Sequence, residues 1–269
     1  MEAIKEYKVL ARKYRPQKFE DLVGQDSLVQ ILKGAITNDR LAHAYVLTGV
    51  RGVGKTTTAR LIAMSINCQK RSKDNCEPCG DCDSCKSTGV DSNLDVIEMD
   101  AASNTGVDDI REIIDNVKYK PIIGKYKIFI IDEVHMLSKS AFNALLKTLE
   151  EPPEHVKFIF ATTEVKKIPI TVLSRCQRFD LLRIENNNLT KHLLKVVELE
   201  NIDIDNDAIS LIVRAADGSI RDGLSLLDQA ITNQNIKIDS KAISTMLGLA
   251  EREKIFDLIE KILEGNSFE

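Results

Sequence analysis

The sequence contains no tryptophan, and aromatic residues make up only 5% of its 269 residues. This scarcity disfavours a surface on which the bases of single-stranded nucleic acid stack. The chain also lacks any apolar run of about 18 residues, which a membrane-spanning helix would need. Its first residues, MEAIKEYKVLARKYRP, contain no apolar stretch typical of a signal peptide. We therefore expect a cytoplasmic protein that makes no contact with a membrane.

Neither sign of charge is in large excess, because 37 lysines and arginines face 41 aspartates and glutamates. The net charge of −4 gives no general electrostatic reason to expect binding to nucleic acid, so that any contact with DNA has to be local. A hydrophobic fraction of 43% over this length suffices for two compact domains and part of a third.

Strand-like and helix-like segments alternate between about residue 40 and residue 180. The predicted strands are 41–48, 94–100, 127–132, 157–163 and 177–182, and the predicted helices are 56–67, 107–119 and 138–153. This alternation predicts an α/β fold in which helices cover both faces of a parallel sheet. After Leu182 the helical segments follow one another without a strand, which predicts a small helical domain.

The segment GVRGVGKT, residues 49–56, lies between the first predicted strand and the first predicted helix. It fits the phosphate-loop pattern GxxxxGK[ST], whose glycines let backbone N–H groups face phosphates at a helix N-terminus. We expect Lys55 to neutralise the β- and γ-phosphates and Thr56 to hold Mg²⁺. The predicted nucleotide contacts in and after the loop are Gly49, Gly52, Val53, Gly54, Lys55, Thr56 and Thr57.

Two acidic residues, Asp132 and Glu133, follow the third predicted strand. Asp132 suits a Mg²⁺ site, and Glu133 suits a base that orients the attacking water. The alternative is that both acids cap the next helix, an alternative that loses weight beside a phosphate loop. Thr162 and Thr163 end the fourth strand at the same edge of the sheet, and the residue types alone do not decide between nucleotide sensing and a purely structural role. His135 receives no role at this stage.

Several motifs follow one another in an order typical of one known family. They are KYRPQKFEDLVGQ (13–25), LTGVRGVGKTTTAR (47–60), DAASNTGVDDIR (100–111), KIFIIDEVHMLSKSAFNALLKTLEEPP (127–153), FIFATTE (158–164), LSRCQRFD (173–180) and GSIRDGLSLLDQA (218–230). From about Ala11 onward, the chain resembles the gamma/tau family of bacterial DNA polymerase III, the AAA+ P-loop ATPases of the clamp loader.

The resemblance implies a division of the chain into three parts. These are an AAA+ nucleotide-binding domain over residues 1–180, a helical lid domain over 181–245 and the start of a helical collar domain over 246–269. The last segment, EREKIFDLIEKILEG and the residues after it, is apolar on one face and stops abruptly. We therefore expect the oligomerising collar to be incomplete and this piece to be monomeric or weakly associated.

The resemblance also assigns roles to residues outside the phosphate loop. Arg175 resembles the arginine finger that reaches the γ-phosphate of a neighbouring subunit, for which a planar, permanently charged guanidinium is suited. The alternative for Arg175 is an ordinary surface arginine. Arg221 resembles the sensor 2 arginine, and Thr163 aligns with sensor 1. The segment expected to cradle adenine contributes Tyr14, Pro16 and Val23.

These roles imply the ATPase motor subunit of the replicative clamp loader, with the polymerase activity in another subunit of the holoenzyme. ATP binding and hydrolysis would open the sliding clamp and load it on primed DNA. The implied partners are the other loader subunits in a hetero-pentamer, the clamp and the DNA backbone. A DNA-translocating helicase motor and a scaffold that binds ATP without hydrolysing it are the alternatives. The SRC motif and the cysteine insertion disfavour the first, and the intact residues Lys55, Asp132, Glu133 and Arg175 disfavour the second.

Contact with DNA has weaker support in the sequence. Asn104 and Thr105 precede a predicted helix whose N-terminal amides can hold a backbone phosphate without reading sequence. The basic segment 12–15 is better interpreted as solvated charge beside the adenine than as a DNA-binding patch.

Five of the six cysteines lie between Asn67 and Ser87. Cys79, Cys82 and Cys85 have spacing typical of a metal site, and either Cys68 or Cys76 can supply a fourth thiolate. Four consecutive ligands within ten residues would strain to wrap one ion, and no proline follows the run as it does in ferredoxins. The family resemblance favours structural Zn²⁺ held by Cys68, Cys79, Cys82 and Cys85, in a module over 68–85. Zinc through Cys76, an iron–sulfur cluster and an empty site are the alternatives.

Overall fold

The structure, a computed structural model, describes residues 7–72, 75–90, 92–233, 238–249 and 252–263. The strands in these ranges are β1 (Ala44–Thr48), β2 (Val96–Asp100), β3 (Lys127–Asp132), β4 (Val156–Thr162) and β5 (Gln177–Asp180). The α-helices are α1 (Leu10–Lys13), α2 (Asp26–Thr37), α3 (Lys55–Asn67), α4 (Asp83–Gly89), α5 (Val107–Val117), α6 (Lys139–Glu150), α7 (Ile170–Leu173), α8 (Asn186–Glu200), α9 (Asn206–Ala216), α10 (Ile220–Asn233), α11 (Ser240–Met246) and α12 (Arg252–Leu263). Short 3-10 helices span Phe19–Asp21, Val134–Met136 and Val165–Lys167.

The chain divides into two compact units. One is Arg15–Ile184, and the other joins the described part of Met1–Tyr14 to that of Glu185–Glu269. The sequence predicted the boundary after residue 180 and assigned the whole N-terminal segment to the nucleotide-binding domain. The contacts instead put the boundary after Ile184 and group residues 7–14 with the helical unit, because α1 packs on α10. The predicted collar segment from residue 246 lies partly outside the described residues and stays a prediction.

The unit Arg15–Ile184 is built on a five-stranded sheet in the order β2-β3-β4-β1-β5, with every pairing parallel. The predicted α/β fold with a parallel sheet is therefore confirmed. The register aligns the carboxyl ends of the strands, since Thr48 pairs with both Thr162 and Asp180 and Asp100 pairs with Asp132. This edge of an open parallel sheet is where ligands bind in such folds.

Side chains that alternate along the strands supply two cores, one on each face of the sheet. On one face, Tyr45 and Leu47 of β1 belong to a cluster with Leu61 and Ile62 of α3. On the other face, Val46 belongs to a cluster that includes Ile110 of α5 and Phe142 and Leu145 of α6. Because both faces are covered, the three inner strands β1, β3 and β4 are apolar along almost their whole length, as buried parallel strands are.

The second unit is helical, as the sequence predicted. Its core contains buried apolar side chains from α8, α9 and α10, among them Leu189, Leu193, Ile209, Ile212, Leu224 and Leu227. A single parallel bridge between Ile204 and Ile238 also joins two of its loops. No helix among the residues described in either unit is long and apolar enough to cross a membrane.

Candidate nucleotide-binding site and cysteine cluster

The phosphate loop connects β1 to α3 and depends on its glycines. Gly52 and Gly54 have φ values of 79° and 101°, a region that side chains other than glycine rarely adopt. At Gly49 a Cβ atom would lie 2.7 Å from the carbonyl oxygen of Leu181, closer than packing allows. The sequence therefore forms a tight turn that leads directly into the N-terminus of α3, the end of a helix that attracts anions.

Lys55, the first residue of α3, is buried with its ammonium group inside the loop. Its Nζ donates to the carbonyl oxygens of Gly49 and Val50 at 3.1 and 3.0 Å. Burial lowers the pKa of Lys55, and the neighbouring carboxylates of Glu133 and Asp132 oppose that shift. The ammonium is thus held within the phosphate loop, and its contact with the β- and γ-phosphates stays a prediction.

Thr56 and Asp132 meet across the end of the sheet. The Thr56 hydroxyl donates to Asp132 Oδ2, and the backbone N–H of Glu133 donates to Asp132 Oδ1 at 2.8 Å. A hydroxyl and a carboxylate in contact at a phosphate loop are the oxygen ligands that Mg²⁺ prefers. These two residues therefore fit a magnesium ion.

Glu133 lies beside Asp132 with its backbone in the left-handed region, at φ 44°. Its Oε2 accepts hydrogen bonds from the backbone N–H of Thr163 at 3.2 Å and from the hydroxyl of Thr163 at 3.1 Å. Glu133, the predicted base, and Thr163, which the family resemblance aligns with sensor 1, are therefore direct partners in the structure. Thr162 is fully buried, and its hydroxyl accepts from the N–H of Glu164 at 3.0 Å.

His135 is a residue of this site that the sequence analysis missed. Its side chain is only 6% exposed, and its Nδ1 lies 3.0 Å from Thr162 Oγ1 and 3.4 Å from Glu133 Oε2. Its Nε2 lies 3.4 Å from Glu164 Oε1. One signal in the sequence could have indicated this role: His135 follows Asp132 by three residues, just beyond the third predicted strand.

The segment expected to cradle adenine belongs to both units. Pro16 and Val23 are half-buried residues of the unit Arg15–Ile184, whereas Tyr14 is in the helical unit, where its hydroxyl donates to Glu200. Burial and the Glu200 carboxylate raise the pKa of Tyr14 to about 12.

Gln25 is a second buried polar residue to which the sequence assigned no role. Its side-chain amide donates to the carbonyl of Leu182 at 2.9 Å and accepts from the backbone N–H of Leu182 at 3.2 Å. That pair ties the residues after Val23 to the chain beyond β5.

The two candidate arginines lie in different units. Arg175 follows α7 and is exposed, and its guanidinium donates to the carbonyl of Thr171 at 2.6 Å and to Glu150 Oε1 at 2.7 Å. Arg221 is an exposed residue in the first turn of α10. The roles of finger and sensor 2 remain predictions.

The predicted DNA contact lies before α5. Thr105 is exposed, and the side-chain amide of Asn104 donates to the carbonyl of Asp100 at 3.1 Å. Asp108 and Asp109 occupy the first turn of α5, and Asp109 accepts from the N–H of Gly106 at 3.1 Å. These carboxylates place negative charge at the helix terminus, which weakens it as a phosphate site.

Four cysteines come together beyond the other end of α3. The sulfur atoms of Cys68, Cys79, Cys82 and Cys85 all lie within 4.8 Å of one another. Sulfurs on a tetrahedral zinc ion lie about 3.8 Å apart, given a Zn–S distance of about 2.3 Å. The Sγ atoms of Cys79 and Cys85 are 4.0 Å apart. The group therefore fits one tetrahedral metal ion bound by four thiolates.

Backbone N–H groups orient two of these sulfurs. The N–H of Cys79 donates to Cys68 Sγ, and the N–H of Cys82 donates to Cys79 Sγ, each at 3.3 Å. Burial alone would raise the pKa of Cys79, but hydrogen bonds from the N–H groups of Cys82 and Asp81 lower it to about 6. Burial raises the pKa values of Cys68 and Cys85.

Cys76 is separate from this group. It is 1% exposed and belongs to the main core on the α3 face of the sheet, and its carbonyl accepts from the hydroxyl of Ser65. The structure thus brings together the set that includes Cys68 and leaves Cys76 in the apolar core. Cys176, the sixth cysteine, is half-buried beside the core on the opposite face of the sheet.

Sequence comparisons match both units to DNA polymerase III. The family described as "DNA polymerase III, delta subunit" matches residues 24–185, and the family described as "DNA polymerase III clamp loader subunit, ATPase lid domain" matches residues 188–244. Among solved structures, the RuvB Holliday junction branch migration motor of Thermotoga maritima superposes with a TM-score of 0.63. The superposition covers 93% of this chain and 80% of the RuvB chain, at 17% sequence identity. A likeness at this low identity shows the fold alone.

Curated relatives resemble the chain over nearly its full length. DNA polymerase III subunit tau/gamma of Haemophilus influenzae is 47% identical over 97% of this chain and 38% of the relative. DNA polymerase III subunit tau of Bacillus subtilis is 52% identical over 84% of this chain and 40% of the relative. The chain thus spans about two fifths of the length of these relatives. DNA polymerase III subunit gamma of Buchnera aphidicola subsp. Acyrthosiphon pisum is 46% identical over 97% of this chain and 72% of the relative. The chain belongs to the gamma/tau family of DNA polymerase III subunits.

Proposed function

We propose that this chain is the ATP-hydrolysing motor of a clamp loader, acting on a sliding clamp and primed DNA. The observation that carries the proposal is the convergence of Lys55, Thr56, Asp132 and Glu133 at the carboxyl ends of β1 and β3. A scaffold that only binds ATP would not need Glu133 beside the Mg²⁺ ligands. We place the chain in the cytoplasm because its curated relatives are named as DNA polymerase III subunits.

The residues of the site divide the work of phosphoryl transfer. The loop amides and Lys55 bind the β- and γ-phosphates and neutralise the charge that moves to the leaving oxygen. Thr56 and Asp132 would hold Mg²⁺, which would neutralise negative charge on the phosphate oxygens. Glu133 orients a water molecule toward the γ-phosphorus and accepts its proton, while Thr163 positions the Glu133 carboxylate.

The remaining contacts to ATP come from residues whose roles rest on the family. Pro16, Val23 and Tyr14 line the adenine, and Arg221 contacts the γ-phosphate in cis. Arg175 extends to the ATP of a neighbouring subunit. Its exposure supports a role in trans, and its ion pair with Glu150 is weak enough to be exchanged for a phosphate. Hydrolysis then depends on assembly with the other loader subunits.

Two further contacts complete the proposal. Cys68, Cys79, Cys82 and Cys85 hold a structural zinc ion without an open coordination position, because thiolates fill all four places. Asn104 and Thr105 lie at a helix start that would follow the DNA backbone, although Asp108 and Asp109 weaken that contact.

Arg175→Ala tests the proposal in the assembled loader with clamp and primed DNA. We expect DNA-stimulated phosphate release to fall about 1,000-fold or more, as when an arginine finger is removed, with ATP binding unchanged. Arg178→Ala is the matched control, because Arg178 is an exposed arginine in β5 that pairs with Asp180. If the assembled wild-type complex shows no DNA-stimulated hydrolysis, or if Arg175→Ala leaves it intact, the proposed mechanism is wrong.

A further inference from the structure

The buried ring of His135 joins two carboxylates at the edge of the sheet. It is in the 3-10 helix Val134–Met136, immediately after Glu133, and its side chain is 6% exposed. Nδ1 faces Thr162 Oγ1 at 3.0 Å and Glu133 Oε2 at 3.4 Å, and Nε2 faces Glu164 Oε1 at 3.4 Å. Each ring nitrogen therefore faces oxygen atoms.

Packing alone does not account for a histidine at this position. The preceding residue, Val134, is fully buried and anchors the 3-10 helix in the core, while Met136 is 45% exposed. An apolar side chain at position 135 would leave the buried Thr162 hydroxyl and the carboxylates of Glu133 and Glu164 without this partner. The ring is therefore placed by polar contacts.

The backbone of Glu133 does little to fix the position of its carboxylate, so the carboxylate depends on side-chain partners. At φ 44° Glu133 occupies the left-handed region, which is unfavourable for a residue other than glycine. Its side chain is 30% exposed, so that without partners it would sample several rotamers. Thr163 holds Oε2 from one side, and His135 approaches the same oxygen at 3.4 Å.

We propose that His135 is a positioning residue for Glu133: with a proton on Nδ1 it fixes the carboxylate that orients the attacking water, and Glu164 fixes the ring. The inference rests on the proposed hydrolytic function. A water aligned on a fixed carboxylate reacts faster than one on a mobile carboxylate, and a misplacement of about 1 Å can cost about 100-fold in rate. Within the part of the chain that the structure describes, the polar contacts of His135 are to Thr162, Glu133 and Glu164 and not to the phosphate loop. We therefore expect nucleotide affinity to be unaffected when His135 is replaced.

The first experiment compares three variants in the assembled loader with clamp and primed DNA. We expect His135→Ala to lower kcat about 10- to 100-fold with the Kd for MgATP unchanged. Asn places its amide near the position of Nδ1, and Gln places its amide near the position of Nε2. His135→Asn should therefore recover part of kcat and His135→Gln should not. His155→Gln is the matched control, because half-buried His155 bonds to the carbonyl of Val117 at the opposite end of β4.

A double-mutant cycle then asks whether His135 acts through Glu133. In a Glu133→Gln background, His135→Ala should add less than a twofold loss, because the carboxylate that it positions is gone. An equal loss in both backgrounds would overturn the inference. Wild-type kcat in His135→Asn and His135→Ala would also overturn it, provided that Glu133→Gln lowers hydrolysis by about 100-fold or more. Full activity of Glu133→Gln itself would instead refute the proposed function. If His135→Ala does not fold, the Asn and Gln pair supports the same cycle.

Discussion

Helix α3 has a different kind of site near each end, and the two sites are stabilised in different ways. At its N-terminus, Lys55 and Thr56 are placed by the phosphate loop and by Asp132 at the end of β3, between two large apolar cores. Just beyond its C-terminus, Cys68 joins three other cysteines whose small cluster contains one further apolar residue, Met64. The fold itself therefore positions the residues of the nucleotide site, whereas the cysteine cluster needs a bound metal ion to hold it together.

The two sites therefore depend on different groups for their stability. A segment as short as 68–89 cannot bury enough apolar surface to fold alone, and a metal ion can replace that missing core. Cys76 and Glu77 belong to the same insertion but attach it to the main unit, through the core and through the N–H of Phe19. We therefore expect variants of the two sites to affect different measurements.

The largest expected effect is on the nucleotide site. Lys55→Ala should lower ATP hydrolysis in the assembled complex by at least about 100-fold, because the main charge facing the phosphates is removed. MgATP at 100 times Kd should stabilise the wild type by about 2.7 kcal/mol and the variant by much less.

The same variant should leave the fold nearly unchanged. Burial lowers the pKa of Lys55, so that the folded state binds this proton less tightly than the unfolded chain and the protonated form at pH 7 costs stability. Without nucleotide, the unfolding free energy of Lys55→Ala should stay within about 1 kcal/mol of the wild type. A much larger loss of unfolding free energy would contradict the expectation that variants of the nucleotide site change ATP binding and leave the stability of the fold nearly unchanged.

An intermediate effect is expected at the cysteine cluster. Cys79→Ser removes the sulfur that receives the N–H of Cys82, and we expect bound zinc to fall from about one ion per chain to almost none. Segment 68–89 should then be cut by proteases much faster, while MgATP affinity changes less than about threefold. Retained zinc in Cys79→Ser would contradict the assigned ligand set.

The smallest effect is expected from Cys76→Ser. The substitution buries a hydroxyl in the apolar core and should cost about 1–3 kcal/mol of stability, measured by denaturant unfolding. Zinc content, measured by metal analysis, should remain about one ion per chain. Loss of the metal in this variant would mean that Cys76 is a ligand and that the division between core and cluster is wrong.

The sequence predicted the parallel sheet because β1, β3 and β4 are continuous apolar runs that end in glycine, acid or threonine. Their carboxyl ends lie at one edge by topology, so the convergence of Thr56 and Asp132 was also predictable. Helix α4 was not anticipated, since DSCKSTG has no apolar periodicity and is held by its cysteine contacts.

Contacts that depend on strand register and on side-chain rotamers could not be predicted from the sequence. The position of His135 follows from a 3-10 turn that brings its ring to Thr162 and Glu164 of the next strand and loop, 27 or more residues away. The pairing of Gln25 with Leu182 joins residues 157 positions apart. The grouping of residues 7–14 with the helical unit likewise depends on tertiary contact and not on any local pattern.

Glu133 is the residue that, in our proposal, makes this site an ATPase and not only a nucleotide-binding site. The direct measurement is phosphate release from an assembled loader, with clamp and primed DNA, in which every copy of this chain is Glu133→Gln, with ATP binding measured on the same sample. We expect unchanged ATP binding and hydrolysis lowered by about 100-fold or more. Hydrolysis at the wild-type rate would contradict the assignment of this site as the catalytic one.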